Sequence, residues 1–217
     1  DWTFFFSAWE IKGRYPSVLD HPKYGAAARE LYENATVLLE QIIRERLLTL
    51  HGVYGFWPAN SDQDDIIVYQ QDVKDSKIEP ERREHQTNEL IRFNMLRQQE
   101  VMGDRANRSL ADFIAPVSSG LLDYIGAFAV TAGIGTDELV AKYERDQDPY
   151  NAIMVKALAD RLAEAFAEHL HVCARRDWGY TLGEQLGYQE LIAENYQGIR
   201  PAFGYPACPD HSEKFKL

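Results

Sequence analysis

The sequence predicts an α+β fold with a twisted antiparallel sheet. Helical patterns and strand patterns occupy separate blocks of the chain instead of alternating strictly, which is typical of this class. The strand patterns also lie next to one another in the way that hairpins require. Because the 217 residues contain neither an internal repeat nor a linker long enough to divide them, we expect one domain.

The helices are indicated by apolar residues at helical spacing. Such spacing from Ala26 to Leu50 predicts a long amphipathic helix. Thr136 is expected to cap a short helix. The longest helix is predicted to open at Asp148 and Pro149, because proline is tolerated in a first turn, and Tyr188 to Tyr196 reads as a brief helix.

A hairpin is predicted near the middle of the chain. Gly52 to Pro58 and Asp65 to Gln70 are rich in β-branched and aromatic residues. They flank the polar stretch from Asn60 to Asp64, which we expect to be a solvent-exposed loop.

Three further segments complete the pattern. Charges dominate from Asp72 to Asn88, which predicts a mobile surface loop before a strand from Leu90 to Leu96. Leu121 to Thr131 is almost continuously apolar, so we expect a central strand buried on both faces.

Charge and hydropathy exclude several classes of protein. The 34 acidic and 23 basic residues give a formal net charge of −11, which repels a phosphate backbone and disfavours nucleic-acid binding. A mean hydropathy of −0.41, with no apolar run near membrane length, disfavours a membrane protein. Cys173 and Cys208 show no pairing or ligand spacing, so we interpret them as structural thiols. The absence of disulfide spacing, together with the lack of a secretory signal pattern, predicts a cytoplasmic location.

The run from Glu194 to Pro209 is the strongest candidate for a ligand loop. Arg200 offers a planar, permanently charged fork that suits a carboxylate. Ala202 and Gly204 leave room for a ligand against bare main chain, while three prolines restrict the backbone. A proline-rich surface turn with no function is the alternative.

Arg200 to Tyr205 reads Arg-Pro-Ala-Phe-Gly-Tyr, which resembles the Arg-x-x-x-Gly-Tyr signature of the reactivation domain of cobalamin-dependent methionine synthase. Six further blocks resemble that domain in the family's order, so the similarity covers nearly the whole chain. They are Asp1–Phe6, Gly13–Pro16, Phe56–Asn60, Leu110–Pro116, Asp123–Thr131 and Met154–Glu168.

The resemblance implies a curved antiparallel sheet flanked by helices, in one reactivation domain over residues 1–217 that is cut at Asp1 and shortened after Leu217. It implies that the chain binds S-adenosylmethionine and presents it for reductive methylation of cob(II)alamin, which reactivates the parent methyltransferase. The cobalamin is held by another domain of that enzyme. The implied partners are the cobalamin-binding domain and a flavodoxin-like electron donor.

The same resemblance implies roles for the loop residues. Arg200 is expected to hold the ligand's carboxylate, and Ala202 and Gly204 to expose main-chain groups to the adenosine. Tyr205 is expected to act as the catalytic residue beside the transferring methyl group.

Three acidic residues complete the implied site. Asp1 matches an acid of the family and is expected to bind the ammonium group, although a terminal aspartate is usually a solvated charge. Glu164 and Glu194 are expected either to balance the ligand's positive charges or to orient Arg200. The alternatives are an exposed helix face for Glu164 and support of the loop for Glu194.

Other chemistries find little support in the sequence. His169 and His171 lie two positions apart on a helix and point about 200° apart, so they cannot share a metal, and we expect no protein-bound metal. Gly133-Ile-Gly135 lacks the third glycine of a dinucleotide loop, which disfavours a stand-alone methyltransferase of that fold. A non-catalytic module that docks on a corrinoid protein or flavodoxin, with an incomplete cofactor site, remains the main alternative.

Overall fold

A computed structural model describes residues 1–70, 88–100, 103–179 and 186–217. The four described strands form one sheet in the order β3-β2-β1-β4, in which β2 pairs antiparallel with both β1 and β3. This arrangement confirms the predicted α+β class. The helices and strands are α1 (Trp2–Ala8), α2 (Gly25–Glu45), β1 (Thr49–Asp62), β2 (Asp65–Tyr69), β3 (Glu89–Asn94), β4 (Asp123–Ile134), α3 (Thr136–Arg145), α4 (Pro149–Trp178) and α5 (Tyr188–Ile192).

The chain divides into two compact units. The first comprises Asp1–Tyr54 and Phe128–Glu184, and the second comprises Gly55–Ala127 and Gln185–Leu217. Each unit has its own apolar core, and the expectation of a single domain over residues 1–217 stays a prediction. The first core includes Phe5, Phe6, Leu31, Met154 and Val155, and the second includes Ala59, Ile66, Phe93, Ala111 and Cys208.

The predicted hairpin is confirmed, but only part of its polar stretch is an exposed loop: Asp62 and Gln63 are exposed, whereas Asn60 and Ser61 are buried. Asp62 pairs with Asp65, so Asn60 and Ser61 belong to β1 and are 6% and 5% exposed. The Asn60 amide donates to the carbonyl oxygens of Ala115 at 2.9 Å and Leu121 at 2.7 Å. These hydrogen bonds compensate for burial of the amide, which composition could not indicate.

The strand predicted to be central lies elsewhere in the sheet. β4 is at one end of the described sheet, and exposed positions recur along it up to Ile134, whereas Ala132 is buried. The prediction of a central strand buried on both faces was therefore wrong. An apolar run rich in Gly and Ala indicates neither which strands lie beside it nor which of its faces is covered.

The strand predicted from Leu90 is confirmed as β3. The loop predicted from Asp72 lies outside the described residues, apart from Asn88.

Two helix boundaries differ from the prediction, and a residue in the left-handed conformation lies at each of them. Arg46 has a φ of 53° and ends α2 before the chain enters β1 at Thr49, so the helix does not continue to Leu50. Gly135, with a φ of 94°, is the N-cap of α3, and Thr136 is its first helical residue. A Cβ atom at Gly135 would lie 2.5 Å from the Leu47 carbonyl oxygen, which is too close, and this explains why the position is occupied by glycine.

The start of α4 is confirmed, whereas α5 is shorter than expected. Asp148 Oδ1 accepts a hydrogen bond from the Asn151 amide at 3.0 Å and caps α4, with Pro149 as the first helical residue. α5 ends at Ile192, because Glu194 adopts a left-handed conformation with a φ of 57°. No helix within the described ranges is long and apolar enough to cross a membrane.

Candidate functional site

The loop that follows α5 lies in the second unit and begins with two left-handed residues. The Glu194 amide donates to the Leu191 carbonyl at 3.0 Å, which closes the last turn of the helix. Gly198 then redirects the chain with a φ of 91°. The Glu194 side chain is exposed. The Glu194 backbone therefore helps to shape the start of the loop, and its carboxylate stays accessible to solvent. Its expected role toward the ligand and the alternative of loop support both stay predictions.

The middle of the loop is anchored to the core of the second unit. The Cys208 side chain is 3% exposed, and its thiol donates to the Ala202 carbonyl at 3.0 Å. Phe203 packs against the same core. The Leu110 amide donates to the Ala207 carbonyl at 2.8 Å, which fastens the loop to the turn Leu110–Phe113. These contacts hold the loop at both ends of the Gly-Tyr-Pro-Ala segment.

A small turn connects these anchors. The Tyr205 amide donates to the Ala202 carbonyl at 3.2 Å, and the Cys208 amide donates to the Tyr205 carbonyl at 2.9 Å. The Gly204 amide donates to the Cys208 carbonyl at 2.9 Å. Backbone hydrogen bonds therefore fix the direction in which the Tyr205 side chain leaves the turn.

The loop exposes three kinds of chemical group. Arg200 is half-buried and carries a permanent positive charge. The Ala202 amide donates to no residue among those described, and Ala202 is exposed. Tyr205 is 64% exposed, so its ring and hydroxyl face solvent although its backbone is held. A cation, an amide donor without an acceptor among the described residues and an aromatic hydroxyl therefore lie within six residues.

His211 was missed by sequence reasoning. Gly204 has a φ of 99°, and a Cβ atom there would lie 2.3 Å from both Cε1 and Nε2 of the His211 imidazole. The ring therefore rests directly on the bare Cα of Gly204. The only hint in the sequence is the polar Pro-Asp-His-Ser segment just after the loop, which is typical of a helix start and says nothing about Gly204.

Asp1 and Glu164 lie in the first unit, where Asp1 has a structural role. Asp1 Oδ1 accepts a hydrogen bond from the Thr3 amide at 2.7 Å and caps α1. Partial burial, and secondarily the Arg161 guanidinium, lower the pKa of the Asp1 amino group, whereas Glu164 acts in the opposite direction. Asp1 and Glu164 are thus close enough to interact electrostatically.

The structure therefore gathers five of the seven expected site residues on one loop. These five are Glu194, Arg200, Ala202, Gly204 and Tyr205. The ligand roles of all seven residues stay predictions. No group of three or more potential metal ligands occurs in the part of the chain that the structure describes.

These features define an α+β fold that carries an arginine-bearing loop in its second unit. The protein-family model described as the activation domain of vitamin B12 dependent methionine synthase matches residues 1–217, and the chain belongs to this family. The resemblance found in the sequence is thereby confirmed.

A solved structure supports the same assignment. It is described as the MetH reactivation domain bound to AdoHcy, and it is 48% identical to this chain with a TM-score of 0.85. The match covers 100% of this chain and 63% of the solved chain. This chain therefore spans less than two thirds of the length of that relative.

Proposed function

We propose that this chain binds S-adenosylmethionine and presents it to a cobalamin held by another domain of the parent methionine synthase. In this role it supports reductive methylation of inactive cob(II)alamin and so reactivates the enzyme. One observation carries the proposal: the complete Arg-Pro-Ala-Phe-Gly-Tyr motif lies on an anchored, exposed loop. The relative with 48% identity is a reactivation domain described as bound to AdoHcy, which lacks only the methyl group of S-adenosylmethionine.

The loop residues fit the functional groups of this ligand. Half-buried Arg200 suits the carboxylate, because its planar fork can make two parallel hydrogen bonds. The Ala202 amide can donate to an acceptor on the ligand. Exposed Glu194 adds a negative charge on the same loop, which balances a cationic ligand.

The chain itself contributes binding and orientation. When bound, S-adenosylmethionine supplies an electrophilic methyl group, and the bond-making chemistry belongs to that ligand and to the cobalt. Tyr205 leaves a turn fixed by backbone hydrogen bonds, so its ring can hold the reacting end of the ligand in one direction. No general acid or base is needed for this role.

The proposed partners follow from the same function. The cobalamin-binding domain must approach the exposed loop, and a flavodoxin-like protein must supply the electron. The cytoplasm, where thiols stay reduced, is the proposed location.

Calorimetry of this chain with AdoHcy and with S-adenosylmethionine tests the proposal. Arg200→Lys should weaken binding by about 1 to 3 kcal/mol, because a point charge cannot reproduce a planar two-bond contact. Arg105→Lys is the matched control, since Arg105 is an exposed arginine of the same unit outside the loop. Both variants are first checked for folding by circular dichroism.

Unchanged affinity in a folded Arg200→Lys variant would refute the carboxylate contact. Failure of the parent chain to bind either ligand would refute the proposed function for this chain. That second outcome would favour the non-catalytic interaction module.

A further inference from the structure

The 3₁₀ turn His211–Lys216 starts from a well-formed cap. Asp210 Oδ1 accepts hydrogen bonds from both the amide and the hydroxyl of Ser212, each at 2.7 Å. His211 is the first residue of this turn, directly after Asp210. Its backbone is therefore fixed on both sides by contacts that do not involve its own side chain.

The other end of the turn is clamped to β3. Glu213 is 6% exposed, and its Oε2 accepts a hydrogen bond from the Asn94 amide at 2.9 Å and pairs with Lys216 Nζ at 2.7 Å. Lys216 Nζ also donates to the Arg92 carbonyl at 2.9 Å. A buried carboxylate held in this way resists displacement, because removing it leaves the partner groups unsatisfied. The turn that carries His211 is thus a rigid support.

This support places the His211 ring on a glycine of the ligand loop, Gly204. Gly204 has a φ of 99°, which glycine adopts readily and other residues rarely adopt. A Cβ atom there would be 2.3 Å from two atoms of the imidazole, so the ring fills the space that a side chain would take. His211 is exposed, and burial in the core therefore does not account for its position.

We propose that His211 is a positioning residue for the ligand loop. Its imidazole rests on the Cα of Gly204 and limits the backbone freedom of that glycine, and it thereby holds the adjoining Tyr205 in the orientation that receives the ligand. The proposal rests on the proposed binding of S-adenosylmethionine. It adds a residue outside the Arg-Pro-Ala-Phe-Gly-Tyr motif whose contribution is packing, not a contact with the ligand.

A packing role predicts a specific order of variants. His211→Ala removes the ring, so the loop must be ordered again when the ligand binds, and affinity falls. His211→Phe keeps a planar ring on Gly204 and should restore affinity close to that of the parent. A residue that hydrogen-bonds the ligand through its imidazole nitrogens would not be replaced by phenylalanine.

AdoHcy calorimetry of the whole chain distinguishes these cases. We expect His211→Ala to weaken binding about 3- to 10-fold, the range for reordering a small part of a site. We expect His211→Phe to stay within about 2-fold of the parent. His51→Ala is the control, because His51 is an exposed histidine of the other unit.

A double-mutant cycle tests the contact itself. Gly204→Ala should weaken binding strongly in the parent, where the new Cβ meets the imidazole, and less in the His211→Ala background, where that contact is removed and only the strain of alanine at a φ of 99° is left. Equal losses in the two backgrounds would overturn the proposed contact. Thermal unfolding of the four proteins reports the same coupling without ligand.

The outcomes separate the two proposals. A parent chain that binds no AdoHcy would refute both the proposed function and the positioning role. Normal binding by the parent with unchanged affinity in His211→Ala would refute the positioning role alone. Equal losses in His211→Phe and His211→Ala would also overturn it, because the imidazole nitrogens would then be essential.

Discussion

Asn60→Asp should destabilise the second unit by a predictable amount. The side chain is 6% exposed, and its amide nitrogen donates to the carbonyl oxygens of Ala115 at 2.9 Å and Leu121 at 2.7 Å. Aspartate has nearly the same shape but places an oxygen opposite both carbonyls. The Leu121 carbonyl loses its side-chain donor, the Ala115 carbonyl keeps only the Ser61 amide at 3.1 Å, and a buried carboxylate now faces both oxygens. An orphaned buried carbonyl and a buried charge without a partner together should lower the free energy of unfolding by about 2 to 4 kcal/mol.

Urea unfolding followed by far-UV circular dichroism measures this change. With a urea m-value of about 1 to 3 kcal/mol/M, the midpoint should fall by about 0.7 to 4 M. Asn34→Asp is the control, because Asn34 is exposed and makes a single hydrogen bond to the Tyr150 hydroxyl at 3.2 Å. A free energy of unfolding within about 0.5 kcal/mol of the parent in Asn60→Asp would refute the reasoning.

Two further predictions concern the reaction and the pH dependence of stability. In the intact parent enzyme, Tyr205→Phe should keep near-normal S-adenosylmethionine affinity but slow the return of cob(II)alamin to methylcobalamin, because misalignment of about 1 Å can slow such a step about 100-fold. The cobalamin spectrum under a reductant measures the rate, Tyr124→Phe is the control, and equal rates would contradict the role. Hydrogen bonds from Asn151 lower the pKa of Asp148, so this carboxylate stabilises the fold above its unfolded pKa of about 3.9, and the effect is lost as pH falls through the lower folded pKa. In Asp148→Asn, the melting temperature should therefore fall less steeply as the pH is lowered through this range. A pH dependence of the melting temperature equal to that of the parent would count against this account.

Elements with local signals were predicted well. The start of α4 follows from Asp148 and Pro149, whose cap and ring act within one turn. The position of β4 in the sheet could not be predicted in this way, because it depends on the strands that pair with it. The same limit applies to Asn60, whose burial depends on carbonyl groups more than fifty residues away in sequence.

The site shows the same division between local and distant signals. Arg200, Ala202 and Tyr205 could be proposed from the sequence because their residue types and spacing lie in one short motif. The contact between His211 and Gly204 depends on a left-handed glycine and on a turn clamped to β3, neither of which the motif encodes. Asp1 was assigned a ligand role from its family block, while the cap that it provides for α1 emerged only in the structure.

The buried thiol of Cys208 has a chemical consequence for a loop proposed to hold a methyl donor. Burial raises the pKa of this thiol, and a hydrogen bond from the Tyr205 backbone acts in the opposite direction. The thiolate is the nucleophilic form of cysteine, so a thiol kept protonated and inside the core reacts poorly with electrophiles. Cys208 can therefore anchor the Ala202 carbonyl through its S–H group at 3.0 Å without reacting with the methyl group of the proposed ligand.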